Sequence, residues 1–260
     1  MDLHLRGKTA IVTGGSKGIG RAVARCLAEE GCQLHLAART AADLEALREE
    51  IRAQHQVGVT AHATDLGAPG RPEALAEAAG DVDILVNNAG AIPGGSIEKV
   101  DEATWRHAWN LKVFGYINLT RAVYQRMKAR GGGVIVNVIG TAGERQDFNY
   151  IAGSAGNASL MAFTRALGSD SARDNIRVVA VNPGMTETER LVNLLKTAAK
   201  NKGQDPEDWR RQLKGLPFGR AGSAEEVADL VTFLASDRAS YISGTVVTID
   251  AGQSARGALF

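Results

Sequence analysis

Ala10-Ile11-Val12-Thr13-Gly14-Gly15-Ser16-Lys17-Gly18-Ile19-Gly20 decides the fold of this chain. A short apolar strand runs into a turn with glycines at 14, 18 and 20, and the stripe Ile19, Val23, Cys26, Leu27 carries on as a helix. One glycine permits the tight turn, one lets the backbone approach a pyrophosphate, and one lets the helix pack closely. The free N–H groups of the helix start then face the phosphates. Gly14, Ser16, Lys17, Gly18, Ile19 and Gly20 are therefore candidate dinucleotide-binding residues. The plainer alternative is a glycine turn that serves fold geometry alone.

Outward from this stretch, short runs rich in Val, Ile and Leu alternate with longer helical patterns. The runs at 9–13, 33–38, 59–63, 82–87, 134–138, 177–182 and 246–249 read as strands covered on both faces. Helices are expected near 18–30, 41–54, 71–79, 101–129, 156–173 and 223–236, the last opened by Ser223-Ala224-Glu225-Glu226. Strict alternation implies right-handed crossovers. The expected fold is α/β: one Rossmann-like, doubly wound parallel sheet of about seven strands with helices on both faces. A single domain over 1–260 follows. The charged stretch 186–216 interrupts the pattern and reads as a lid over the substrate, or else as a solvated helical excursion.

Composition narrows the function. Apolar residues make up 44% of the 260, enough for a large core, and the formal net charge of +1 gives no electrostatic handle for nucleic acid or a membrane surface. Small molecules and copies of the chain itself are the expected partners. Only Cys26 and Cys32 are present, so neither a disulfide framework nor a metal site is indicated, and a reducing cytoplasm is expected. The start Met1-Asp2-Leu3-His4-Leu5-Arg6-Gly7 lacks a signal-peptide core, and no apolar run reaches membrane-spanning length.

Three further motifs follow in order: Asn87-Asn88-Ala89-Gly90 after an apolar strand, Asn182-Pro183-Gly184, and the closing run 244–252 that ends Asp250-Ala251-Gly252. With the glycine turn, their order and spacing resemble the short-chain dehydrogenase/reductase family over almost the whole chain. The resemblance implies a nicotinamide cofactor. It places Asp65 and Leu66 at the adenine, and Asn88, Ala89 and Gly90 along the cofactor. Pro183, Gly184, Thr186 and Thr188 fall at the nicotinamide carboxamide. It also implies a homotetramer, with interfaces formed by the helices near 101–129 and 156–173 and by residues 244–260. Asp65 also reads as a turn residue, and Thr186 and Thr188 as helix caps.

The second strand ends Leu36-Ala37-Ala38-Arg39, with no carboxylate there for a ribose 2′-hydroxyl. Arg39 and Lys17 instead suit a 2′-phosphate, which favours NADP(H) over NAD(H). Two solvated surface cations are the plainer alternative.

The catalytic positions depart from the family pattern of Asn, Ser, Tyr and Lys. Counting from Val134-Ile135-Val136-Asn137-Val138 and back from Ala162-Phe163-Thr164, the Ser position falls on Gly140, Tyr on Gly153 and Lys on Asn157. Matching the helix around Phe114-Gly115-Tyr116 puts the Asn position on Lys112, while Asn110 points elsewhere. Lys and Asn are thus exchanged, which predicts Lys112 within hydrogen-bond reach of Asn157 or of the nicotinamide ribose. The alternative is a solvated Lys112 and a gap-filling Asn157. Tyr150 and Thr141 are the nearest substitutes for the vacated hydroxyls, and Ser154 reads as a helix N-cap. Glu144, Arg145 and Asp147 are expected at the pocket mouth. Three functions remain open: an atypical NADP(H)-dependent oxidoreductase acting on a carbonyl/alcohol pair, a cofactor-holding subunit or sensor without turnover, and a non-redox dehydratase or lyase.

Overall fold

A computed structural model describes residues 1–201 and 203–256. Seven strands form one parallel sheet: β1 (Thr9–Thr13), β2 (Gln33–Ala38), β3 (Val59–Ala63), β4 (Ile84–Asn87), β5 (Gly133–Val138), β6 (Ile176–Pro183) and, at the far edge, β9 (Val246–Ile249). Their spatial order is β3-β2-β1-β4-β5-β6-β9. The direction of winding reverses between β1 and β4, which opens a crevice at the carboxyl ends of the strands. A small pair, β7 (Thr186–Glu187) and β8 (Gly222–Ser223), stands apart.

The strands alternate side chains between two buried layers. On one face Ala10 and Val12 pack with Val23 and Leu27 of α1 (Gly18–Glu29), Leu44 and Leu47 of α2 (Ala41–Gln54), and Val227 and Val231 of helix 224–235. On the other, Ile11 packs with Leu75 of α3 (Arg71–Ala79) and with Leu119 and Val123 of helix 115–130. Each Val, Leu or Ile among them contributes roughly 1.5–3 kcal/mol on burial. Ser223 and Glu226 cap the helix that follows β8 with reciprocal bonds of 3.0 and 2.7 Å, as the sequence indicates.

The remaining helices differ from expectation in ways that shape the site. The helix expected over 101–129 is three pieces: α4 (Glu102–Trp109), a π-helical turn (Asn110–Phe114) and α5 (Gly115–Arg130). Helix α6 (Ile151–Asp170) starts five residues before the expected 156. Its first turns are rich in glycine, which weakens the local helix signal. Packing decides instead: a Cβ on Gly156 would lie 3.2 Å from Trp109 Nε1, and that indole donates to the Ala152 carbonyl at 2.9 Å. Ser154 is consequently inside the helix rather than capping it; its Oγ accepts from the Asp147 amide at 3.0 Å. β4 begins at Ile84, two residues late; Asp83 just before it still bonds the flanking strands through its backbone, and its carboxylate also accepts from the Thr9 amide at 2.8 Å.

The excursion at 186–216 holds α7 (Glu189–Asn201) and a 3₁₀ stretch (Pro206–Leu213), closed on their own small core of Leu195, Trp209, Leu213 and Ala221. Lys202 within it lies outside the described residues. The helix at 224–235 is α8 (Ala224–Ala235). No helix among the described residues is long and apolar enough to cross a membrane. No group of three metal-ligating side chains occurs among them either.

Candidate active site

The strand ends and the 186–216 excursion enclose a cleft of about 1320 Å³. Gly14, Ser16, Lys17, Gly18 and Ile19 line one end, Leu66 and Asn88-Ala89-Gly90 the middle, and Pro183, Gly184, Thr186 and Thr188 the other side. The glycines are required by close approach. A Cβ on Gly20 would sit 2.2 Å from the Gly14 carbonyl oxygen, and one on Gly14 would sit 2.9 Å from Asn88 Nδ2. No side chain caps the first turn of α1, so its N–H groups stay available to the cleft. This uncapped turn against a glycine cradle fits a dinucleotide pyrophosphate. Thr188 Oγ1 accepts from the Leu191 amide at 3.4 Å, a helix cap as well as a lining residue. Asp65 does not line the cleft; its carboxylate accepts from the Gly67 amide at 3.0 Å, as a turn residue would.

At the adenosine end the structure corrects the sequence reading. Arg39 is exposed and lines the cleft, but a carboxylate is present after all: Asp43, in the first turn of α2, also lines it and pairs with Lys17 at 3.2 Å. Its position four residues after Arg39, and not at the strand end, hid it.

At the opposite end Lys112 is inward and 8% exposed, so it is no solvated helix residue. Its Nζ donates to the Val138 carbonyl (2.8 Å), the Ile139 carbonyl (3.3 Å) and Tyr116 Oη (3.0 Å). Tyr116 Oη in turn donates to the Val138 carbonyl at 2.9 Å. The π turn carries Lys112, and Gly90 clears its path: a Cβ there would be 2.5 Å from Lys112 Cδ. Burial lowers the ammonium pKa from 10.5 to about 7, and the charge of Arg190 acts in the same direction.

The predicted contact between Lys112 and Asn157 is not formed. Asn157 Nδ2 donates to the Gly140 carbonyl at 3.3 Å, while Asn182 Oδ1 accepts from the Gly140 amide at 3.2 Å. Lys112 and Asn157 therefore grip adjoining carbonyls at the end of β5 and do not grip each other. Thr141 follows Gly140 and lines the cleft. Asn110 is exposed.

Tyr150 lines the cleft at the start of α6, held by a parallel bridge to Gly95. Its ring packs with Ile92 and Ala152. A Cβ on Gly153 would lie 2.0 Å from its Cε1. Burial raises its pKa above 10, and Arg190 opposes that rise. Arg145 and Asp147 line the mouth as expected, joined by Gln146 and Phe148, whereas Glu144 turns away to accept from Thr248 Oγ1 at 3.0 Å. Sequence reasoning missed Tyr116 and Arg190. The first was legible four residues after Lys112 on one helix face; the second was one cation among many in a charged excursion.

A parallel sheet with a glycine cradle at its switch point defines a doubly wound, dinucleotide-binding α/β fold. The profile of the family described as short chain dehydrogenase matches residues 8–199. The chain is 35% identical over 251 residues to galactitol 2-dehydrogenase (L-tagatose-forming) of Cereibacter sphaeroides, covering 96% of each. It is 34% identical to 3-oxoacyl-[acyl-carrier-protein] reductase FabG of Chlamydia trachomatis, over 95% of this chain and 97% of that one. It superposes on L-sorbose reductase of Gluconobacter frateurii, solved with NADPH and L-sorbose, with a TM-score of 0.94 at 32% identity, covering 99% and 100% of the two chains. The chain belongs to the short-chain dehydrogenase family and is an NAD(P)-dependent oxidoreductase of that type.

Proposed function

We propose that this chain is an NADP(H)-dependent reductase of a carbonyl/alcohol pair in which Tyr150, and not residue 153, handles the proton. The observation that carries the reading is the Tyr150 ring lying over Gly153 within the cleft. The phenol comes from the wall a residue-153 side chain would use, one turn earlier. When bound, the nicotinamide supplies or accepts the hydride.

The chain's own residues do the rest. Tyr150 is a protonated phenol at neutral pH, its pKa raised further by burial, so it can give a proton to a carbonyl oxygen during reduction and take it back in the reverse reaction. Lys112 and Asn157 fix the Val138–Gly140 carbonyls, so the end of β5 keeps its shape beside the reacting atoms. Thr141 offers a second hydroxyl at the same edge. Gly14, Ser16, Lys17, Gly18, Ile19 and Gly20 hold the pyrophosphate, Asn88-Ala89-Gly90 the ribose side, and Pro183, Gly184, Thr186 and Thr188 the carboxamide. Arg39 supports NADP(H), as does the NADPH in the L-sorbose reductase structure. Lys17 joins it once the 2′-phosphate competes with Asp43. The chain acts as one domain under an α7 lid and assembles as a homotetramer through α4–α5, α6 and residues 244–260, of which 257–260 lie outside the described residues.

The test is a nicotinamide fluorescence titration with NADPH and NADH, followed by single-turnover NADPH oxidation over a panel of ketones and aldehydes. Turnover that Tyr150→Phe abolishes supports the reading. Tight NADPH binding with no turnover would instead indicate a cofactor-holding subunit.

A further inference from the structure

Arg190 stands in the first turn of α7, and its Nη2 donates to the Ile92 carbonyl at 2.8 Å. Ile92 is buried, and its side chain packs in the same cluster as Tyr150. This bond therefore fixes the guanidinium beside the phenol, and its charge lowers the pKa of both Tyr150 and Lys112. Arg190 lines the cleft and remains solvent-accessible, as a substrate-facing group must.

Among the described residues Arg190 has no carboxylate partner. Other acids lining the cleft are engaged elsewhere. Asp147 accepts from the Asn149 amide at 2.8 Å, Asp250 from the Gly252 amide at 2.9 Å, and Asp43 pairs with Lys17. Glu189, the neighbour in sequence, makes no ion pair with it. Lys112 also lacks a counter-ion; its acceptors are two carbonyls and a hydroxyl. Two cations thus share one wall with no protein charge to balance them. Lys112 is buried while Arg190 is exposed, so the guanidinium can meet an incoming anion beside a buried ammonium that has no counter-ion. The cofactor does not provide one here. Its phosphates belong to the far end, at the glycine turn, and its nicotinamide carries no negative charge.

We infer that the substrate brings the anion: a small oxo acid whose carboxylate is held by Arg190 while its ketone carbonyl lies against Tyr150. A guanidinium fork matches a carboxylate, and one of its nitrogens is already anchored on Ile92, so the group is oriented before the ligand arrives. The inference rests on the reductase reading for its reaction, but not for its binding step.

The test separates the two. Calorimetric titration of the protein saturated with NADP⁺, where no reduction can occur, compares 2-oxo and 3-oxo acids with their primary amides. The acid should bind about tenfold or more tightly than its amide, since a charge-assisted pair is lost in the amide. Arg190→Gln should erase that preference, and Arg190→Lys, which keeps the charge without the fork, should retain part of it. Thermal melts check that each variant is folded. Equal binding of acid and amide, no binding of either, or a preference that survives Arg190→Gln overturns the inference. If acids bind with the preference but none oxidises NADPH, the reductase reading fails and the anion site stands. If neutral ketones are reduced as well as the acids, the reading stands and the anion site falls.

Discussion

Tyr150 occupies the space in which a side chain on residue 153 would begin: a Cβ on Gly153 would fall 2.0 Å from Cε1 and 2.1 Å from Cζ of the ring. The glycine is therefore a clearance for the tyrosine, and the two positions work as one. Tyr150→Phe should lower kcat by about 10²–10⁴-fold, the usual worth of a positioned proton donor, with NADPH affinity nearly unchanged. Gly153→Ala should push the ring aside and cost both activity and stability. Gly153→Tyr should be poorly tolerated alone and better tolerated with Tyr150→Ala, because the second change empties the contested space. Stopped-flow kinetics and thermal melts of the four variants decide this, and additive effects would contradict the coupling.

Lys112 gives a pH signature. Its pKa in the folded chain is about 7, against 10.5 ordinarily. Between those values the unfolded chain holds the extra proton, so stability contributed by this group rises with pH. It is lowest below pH 7 and reaches its ceiling above 10.5. Wild type should gain stability relative to Lys112→Met across that window, on the order of 5 kcal/mol in total. Urea denaturation of both proteins at a series of pH values measures it, and a pH-independent difference would show that Lys112 is not shifted.

Cofactor choice turns on three side chains. Arg39→Asp should weaken NADPH binding by about tenfold or more and reverse the preference toward NADH. Asp43→Ala should release Lys17 from its 3.2 Å ion pair and tighten NADPH binding relative to NADH. Fluorescence titration of both cofactors reads the two shifts, and equal affinities in the unmutated protein would refute the assignment.

Placing a hydroxyl side chain at position 140 should fail for a backbone reason. Gly140 has φ of +135°, and a Cβ there would also come within 3.1 Å of Asn157 Nδ2. Gly140→Ser should cost about 1–3 kcal/mol. Chemical denaturation checks the loss, and a serine variant as stable as wild type would show that the loop can relax.

The seven strands, their parallel winding and the glycine cradle were legible in the sequence, because apolar periodicity and backbone clearance are local properties of consecutive residues. The capping box at Ser223 was legible for the same reason. The partners were not. Whether Lys112 meets Asn157 depends on the π turn at 110–114, where one extra residue per turn redirects the side chain toward Val138 and Ile139. The early start of α6 depends on Trp109 and Tyr150 filling the room its glycines leave, and the Asp43–Lys17 pair depends on how α2 leaves β2. Arg190 reaches the site only because the excursion folds on its own core and returns to Ile92. Hydrophobic pattern sets which elements form and which faces they bury. Long-range packing alone decided which polar groups those elements bring together, since contacts between residues 22, 26 or 98 positions apart leave no periodic trace in the chain.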